Sequence, residues 1–343
     1  MKIVADNKIP YIKGVLEPYA QVEYISGTAI GREDVRDADV LLVRTRTRCN
    51  EDLLAGSAVK LVATATIGTD HIDSEWCESN GIEMVSAPGC NAGGVLQWVS
   101  AVLADALCRR GCTPSDIVLG VVGVGHVGSL VKRYARNWGF RVVCSDPPRE
   151  LSENLGPQQG FIPFEELVAA ADIITFHVPY TVDSPFPTRG LAGKEFFAGI
   201  KRNALVLNVS RGGVVDESQL KRALSEGRCE AGIDTWIGEP AIDDELLGLV
   251  TYATPHIAGY SIQGKANASS AVIGAVAVRY GLPLAEWYPS QVSRVGRTEI
   301  AWKEMCREIG SYFDVAWQTS ALKSSPEKFE YFRENYDFRE EFF

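Results

Sequence analysis

"IVLGVVGVGHVGSLVKRYARNWGFRVVCSD" (residues 117–146) decides how the chain folds. It opens on an apolar run of strand type. Glycines follow at 123, 125 and 128 in G-x-G-x-x-G spacing, then an amphipathic helical stretch, a second apolar run, and Asp146, 18 residues past Gly128 (146 − 128). The three glycines do different things. The first makes a tight turn, the second lets backbone approach a pyrophosphate, and the third lets helix and strand pack closely. A helix entered through His126 and Val127 offers free N–H groups and the positive end of its dipole to phosphates. Asp146 suits ribose hydroxyls and repels a 2′-phosphate, which favours NAD over NADP. Arg149 nearby is a small argument the other way.

The same alternation extends in both directions. Upstream, "KIVAD" (2–6), "VLLVRT" (40–45), "KLVATAT" (60–66) and "IEMVSA" (82–87) read as buried strands. A helix of about 20 residues follows over 91–111, with Asn91 as a plausible N-cap and Gly111 as its C′ residue. Downstream, 141–146, 172–178, 204–210 and 231–236 repeat the strand pattern, and 216–227 opens like a capping box at Asp216. Strand and helix in this alternation imply parallel sheets covered on both faces. The expected fold class is α/β: two doubly wound parallel-sheet domains plus a small C-terminal appendage. The expected bounds are 1–95 with 260–285, then 96–259, then an appendage at 286–343 rich in aromatic and charged residues.

The 343 residues carry a formal net charge of −10, which argues against a nucleic-acid partner, since a phosphate backbone needs a broad basic face. No apolar run approaches a bilayer span, and "MKIVADNKIPY" has no stretch long enough for a signal peptide. The eight cysteines include no CxxC and no Cys/His group of zinc spacing. Free thiols, no metal and a cytoplasmic location are therefore expected.

Three stretches follow strands of the second series: "LNVSRGGVVDE" (207–217), "GIDTWIGEP" (232–240) and "ATPHIAGY" (253–260). In open α/β sheets ligands gather outside the carboxyl ends of strands, so Arg211, Glu239 and His256 can converge. Their types suit oxidation of a 2-hydroxy acid. Arg211 can hold a carboxylate in a bidentate fork. His256 can take the hydroxyl proton as hydride leaves the same carbon. Glu239 can orient the imidazole ring.

G-x-G-x-x-G, S-R-G-G-V-V-D, G-E-P and T-P-H-I-A-G, in this order over roughly residues 1–285, resemble the D-2-hydroxyacid dehydrogenases. The resemblance implies a Rossmann NAD domain inserted in a flavodoxin-like substrate domain. Within the family, "ATATIGTDHID", "APGCNAGGV", "CSDPPR", "TFHVPY" and "PHIAGYSIQGKA" imply a phosphorylated sugar acid, 4-phospho-D-erythronate, oxidised on the way to pyridoxal phosphate. By the resemblance Arg211, Glu239 and His256 are catalytic. Gly123, Gly125, His126, Val127, Gly128, Asp146, Thr175, Val209, Ser210, Arg211, Asp234 and Gly259 would contact NAD. Thr45, Thr66 and Tyr260 would contact substrate. The family's C-terminal dimerisation region is longer, so a homodimer with a reduced or rearranged interface is expected.

Such a substrate has a phosphate at the end remote from its carboxylate. "LLVRTRTRCN" (41–50) sets arginine at 44, 46 and 48. In an extended segment these point to one side, so Arg44 first, and Arg46 with it, are candidates for the phosphate. The alternative is a solvated edge that discourages aggregation. Other readings are a dehydrogenase of glycerate, lactate or phosphoglycerate, or a non-catalytic NAD sensor on the same fold.

Overall fold

The computed structural model describes residues 1–296 and 298–343. The chain divides into two units, Met1–Asn91 with Ser261–Val295 and Ala92–Tyr260 with Gly296–Phe343.

The first unit is a five-stranded parallel sheet of β1 (Lys2–Asp6), β2 (Gln21–Ile25), β3 (Val40–Val43), β4 (Leu61–Thr64) and β5 (Glu83–Val85), in the order β2-β1-β3-β4-β5. The inner strands are continuous apolar runs because both faces are covered. Val4, Leu41, Val43 and Val62 pack with Val35, Leu54 and Cys77 on one face. Ile3, Val40, Leu42 and Leu61 pack with Val272, Ile273 and Val276 of the helix Ile262–Tyr280 on the other. The order reverses between β1 and β3, as expected for a flavodoxin-like sheet.

The second unit holds β6 (Val118–Val122), β7 (Arg141–Ser145), β8 (Ile173–Phe176), β9 (Ala204–Asn208), β10 (Cys229–Ile233) and β11 (Tyr252–Ala253), all parallel, in the order β11-β10-β9-β8-β6-β7. Its order reverses between β6 and β8, the crevice where doubly wound sheets bind dinucleotides. The helix Ala92–Arg110 is buried on most of its surface, and Trp98 inside it donates to the Thr254 hydroxyl at 2.9 Å. Gly111 ends this helix with φ +62°. Asn91 does not cap it: its Oδ1 is buried without a partner. Asp216 does cap its helix, accepting from the N–H groups of Ser218 and Gln219.

The appendage expected at 286–343 divides between the two units, with position 297 outside the described residues. Residues up to Val295 belong to the first unit, and 296–343 belong to the second. The reason is burial. Met305, Ile309, Phe313 and Phe343 share a core with Tyr134 and Trp138, and Leu322 and Phe329 join the core on the other side of the sheet. Trp138 also donates its indole N–H to the Ile300 carbonyl at 2.9 Å.

All eight cysteines are free thiols. Among the described residues no helix is long and apolar enough to cross a membrane, and no cluster of His, Cys, Asp or Glu could hold a metal ion.

Candidate active site and dinucleotide cradle

β6 ends at Val122 and the chain turns at Gly123, whose φ of +81° favours glycine. A Cβ on Gly128 would lie 2.0 Å from the Gly123 carbonyl oxygen, so helix and turn can approach only without one. Gly125 caps the helix His126–Trp138, and a Cβ there would meet nothing within 4 Å. The approach to the helix N-terminus past Gly125 is therefore open, as a pyrophosphate requires. Asp146 stands directly after β7 and ties back to this turn: its Oδ2 accepts from Val124 N–H at 2.7 Å. Arg149 does not offer its fork to a ligand here. Its Nε and Nη2 are paired with Glu153 at 2.5 and 2.6 Å, and its Nη1 donates to the Val124 carbonyl. These residues fit a dinucleotide with an unphosphorylated ribose.

Thr175 is buried in β8 and its hydroxyl lies 3.0 Å from Nε2 of His177. Burial pushes the His177 imidazole down to about 3, so the ring is neutral.

Neighbouring parallel strands bring the three later motifs to one edge of the sheet. At the end of β9, Asn208 donates to the carbonyls of Arg211 and Thr235, and the buried Ser210 hydroxyl donates to Asn208 Oδ1. A Cβ on Gly212 would sit 2.2 Å from the Trp236 carbonyl oxygen, so the turn bearing Arg211 lies against the segment past β10. Val209 is buried beside them. Directly after β10, the Asp234 carboxylate accepts from groups past β11: the Thr254 hydroxyl at 2.6 Å and the N–H groups of Ile257 and Ala258 at 2.8 and 3.0 Å. That carboxylate is 1% exposed and its oxygens are taken up by the loop leading to Gly259. Its observed work is to shape the loop that presents His256.

His256 itself has φ +57°, a strained conformation for a residue with a Cβ, and its N–H donates to the Asp234 carbonyl at 2.9 Å. Its Nδ1 stands 2.8 Å from Glu239 Oε2. Glu239 Oε1 accepts from Trp236 N–H at 2.8 Å. Burial works to raise the Glu239 carboxyl, but the hydrogen bond and charge of His256, the Trp236 N–H and the Arg333 guanidinium outweigh it and hold the group below its ordinary value. The pair is thus a fixed carboxylate and an imidazole with Nε2 left for a substrate proton. Two arginines escaped the sequence reading. Arg333 Nη1 lies 3.7 Å from Glu239 Oε2, and its Nε donates to the Tyr260 hydroxyl at 3.3 Å. Arg339, 6% exposed, donates to the carbonyls of Gly94, Ile257 and Ala258. Their sequence signal was two cations set among aromatics in "YFRENYDFRE".

In the first unit the arginine run is not extended. β3 stops at Val43, Thr47 N–H bonds the Arg44 carbonyl at 3.4 Å, and the buried Thr47 hydroxyl donates to Gly27 O at 2.8 Å. Drawing Thr47 inward forces a turn, so the expected one-sided row of Arg44, Arg46 and Arg48 is corrected. Arg44 is half-buried at the carboxyl end of β3, and its Nη1 donates to the Lys8 carbonyl past β1 at 3.4 Å. It thus stands where the sheet order reverses. Thr45 and Arg46 are exposed in the turn. Past β4, the Thr66 hydroxyl donates to Gly68 O at 2.9 Å and meets Thr64 Oγ1 at 2.7 Å.

Residues 100–258 match the profile of the D-isomer specific 2-hydroxyacid dehydrogenase NAD binding domain. The erythronate-4-phosphate dehydrogenase of Bacteroides thetaiotaomicron is 40% identical over 99% of this chain and 97% of its own length. That of Azotobacter vinelandii is 38% identical over 90% of this chain and 83% of its own. Among solved structures, the NAD+-bound 3-phosphoglycerate dehydrogenase of Entamoeba histolytica superposes with a TM-score of 0.65 at 26% identity, over 82% of this chain and 95% of that one. A glycine turn shaped for NAD, a histidine–glutamate couple at the same sheet edge, and likeness along nearly the whole chain agree: this protein belongs to the NAD-dependent D-isomer specific 2-hydroxyacid dehydrogenases, on the erythronate-4-phosphate dehydrogenase branch.

Proposed function

We propose that the chain oxidises 4-phospho-D-erythronate to (R)-3-hydroxy-2-oxo-4-phosphooxybutanoate, a step towards pyridoxal 5′-phosphate. The observation that carries this reading is the His256–Glu239 couple, Nδ1 to Oε2 at 2.8 Å, kept in a chain so close to relatives of that named activity.

Gly123, Gly125, His126, Val127, Gly128 and Asp146 would hold NAD, with Thr175, Val209, Ser210, Arg211, Asp234 and Gly259 as further contacts, and the nicotinamide would supply the hydride acceptor. His256 takes the C2 hydroxyl proton at Nε2. Glu239 fixes the tautomer and stabilises the charge that the ring acquires. Arg211 binds the substrate carboxylate and orients C2. We assign the far phosphate to Arg44, with Thr45, Arg46 and Thr66 as further donors, and a substrate contact to Tyr260. Arg44 gains support from its place at the reversal point of its own sheet, where ligands of such sheets bind. The cytoplasm is the proposed location. A homodimer is the proposed assembly; exposed Trp317 and Tyr331 in the C-terminal helices support it, and sedimentation of the purified protein checks it.

The test is a panel of 2-hydroxy acids, each with and without a terminal phosphate, followed by nicotinamide absorbance. Turnover confined to the four-carbon phosphorylated acid is expected. Turnover of lactate, glycerate or 3-phosphoglycerate in its place would replace the substrate, and NAD binding without reduction would favour a sensor.

A further inference from the structure

The strongest feature outside these roles is a guanidinium lodged against the catalytic couple. Arg333 lies on the helix Phe329–Glu334, far along the chain from Glu239 and His256 and outside the matched NAD-binding profile. Its side chain is 23% exposed. It bridges two residues of the site: Glu239, whose Oε2 also meets His256 Nδ1, and Tyr260, four residues past His256. The helix that carries it is anchored by Phe329, which is 1% exposed in the core of the second unit. Arg339, further along, fastens the loop of Ile257 and Ala258 from the same segment.

We infer that Arg333 is a positioning residue of the dehydrogenation site, which acts through Glu239 and Tyr260 to keep the carboxylate aligned on His256 while sharing its negative charge. The inference deepens the reading above and rests on it for the reaction, though not for the geometry. The charged and titratable groups facing the couple are Asp234, behind the His256 loop, Glu217, which bonds Ile237 N–H beside Glu239, Glu330, 3.9 Å from Arg333, and Tyr260. Asp234, Glu217 and Glu330 are carboxyl groups. Arg333 is a cation set against Glu239 that offsets them. Taking it away leaves Glu239 to pull undiluted on the imidazole, and the protonated ring is favoured. Oxidation needs that ring neutral, so the acid limb of the rate profile moves to higher pH. Lost packing alone would lower the rate at every pH and leave the limb in place.

The experiment compares wild type with R333Q, R333M and R333K. The expected result for both neutral variants is an acid limb of kcat/KM raised by at least about half a pH unit, with the KM for NAD unchanged. R333K, which keeps the charge, stays near wild type. Histidine ring NMR, simplified by a chain with only four histidines, follows the same change without substrate. The His256 signals should titrate at higher pH in R333Q or R333M than in wild type. R333M fills the site without a buried donor, so it makes the neutral comparison should R333Q not fold. No displacement of limb or signals in the neutral variants, or an R333K that behaves as they do, would overturn the inference. A substrate other than 4-phosphoerythronate would change the proposed reaction and leave the NMR comparison to decide Arg333.

Discussion

His256 and Arg44 each stand just past the carboxyl end of a parallel strand, in different units, and they are held in opposite ways. His256 is fixed from three sides: its strained backbone donates to the Asp234 carbonyl, the loop beyond it donates to the Asp234 carboxylate, and its ring is bonded to Glu239. Arg44 donates one long hydrogen bond, to a carbonyl, and its neighbours Thr45 and Arg46 are exposed. Proton transfer needs atoms placed to within tenths of an ångström, so the imidazole must be locked. Attraction between a guanidinium and a phosphate falls off slowly with distance, so the cation needs position at the sheet end more than a fixed rotamer. On the proposed reading, one scaffold serves a group that must not move and a group that need not be rigid.

If this contrast is right, the largest loss comes from the locked side. His256→Gln should lower kcat roughly 10²–10⁴-fold with NAD affinity kept, read from steady-state rates and nucleotide titration. A loss under about tenfold would remove His256 as the base. On the loose side, Arg44→Ala should raise KM for the phosphorylated substrate about 10- to 100-fold, the worth of a charge-assisted hydrogen bond. The KM for NAD should not follow. Equal loss for both would return Arg44 to an ordinary surface role. Gly128→Ala tests the dinucleotide cradle in the same unit. Its Cβ would meet the Gly123 carbonyl oxygen, so a destabilisation of about 1–3 kcal/mol is expected in thermal melts, with weaker NAD binding.

The smallest effect concerns Glu217, which burial pushes up to about 7, against the Ile237 N–H that lowers it. The folded state holds this proton above the ordinary carboxylate range while the unfolded state releases it. Stability therefore falls as pH rises from about 4.5 towards 7. Glu217→Gln should flatten that part of the stability curve and melt slightly higher than wild type at pH 8. A parallel fall in both proteins would contradict the assignment.

Much of this was legible because parallel α/β sheets write themselves as apolar runs with functional residues just after them. The glycine turn, Asp146, Arg211, Glu239 and His256 each follow such a run. β2 was not legible: "QVEYI" is an edge strand with no fully buried residue, so no buried run marks it. β11 has two residues and little pattern to show. The alternation of "RTRTR" suggested an extended strand, but one buried threonine, Thr47, bends it into a turn. Arg333 and Arg339 were missed for a different reason. Nothing local ties a C-terminal "FRENYDFRE" to a loop far earlier in the chain; only the burial of Phe329 and Phe343 brings them there.

The most direct measurement is the reduction of NAD by purified wild-type protein with 4-phospho-D-erythronate and with erythronate lacking the phosphate, beside the His256→Gln variant. The account predicts nicotinamide absorbance rising with the phosphorylated acid in wild type, at least about tenfold weaker use of the dephosphorylated acid, and near silence in the variant. Equal rates for the two acids, or a variant as active as wild type, would contradict it.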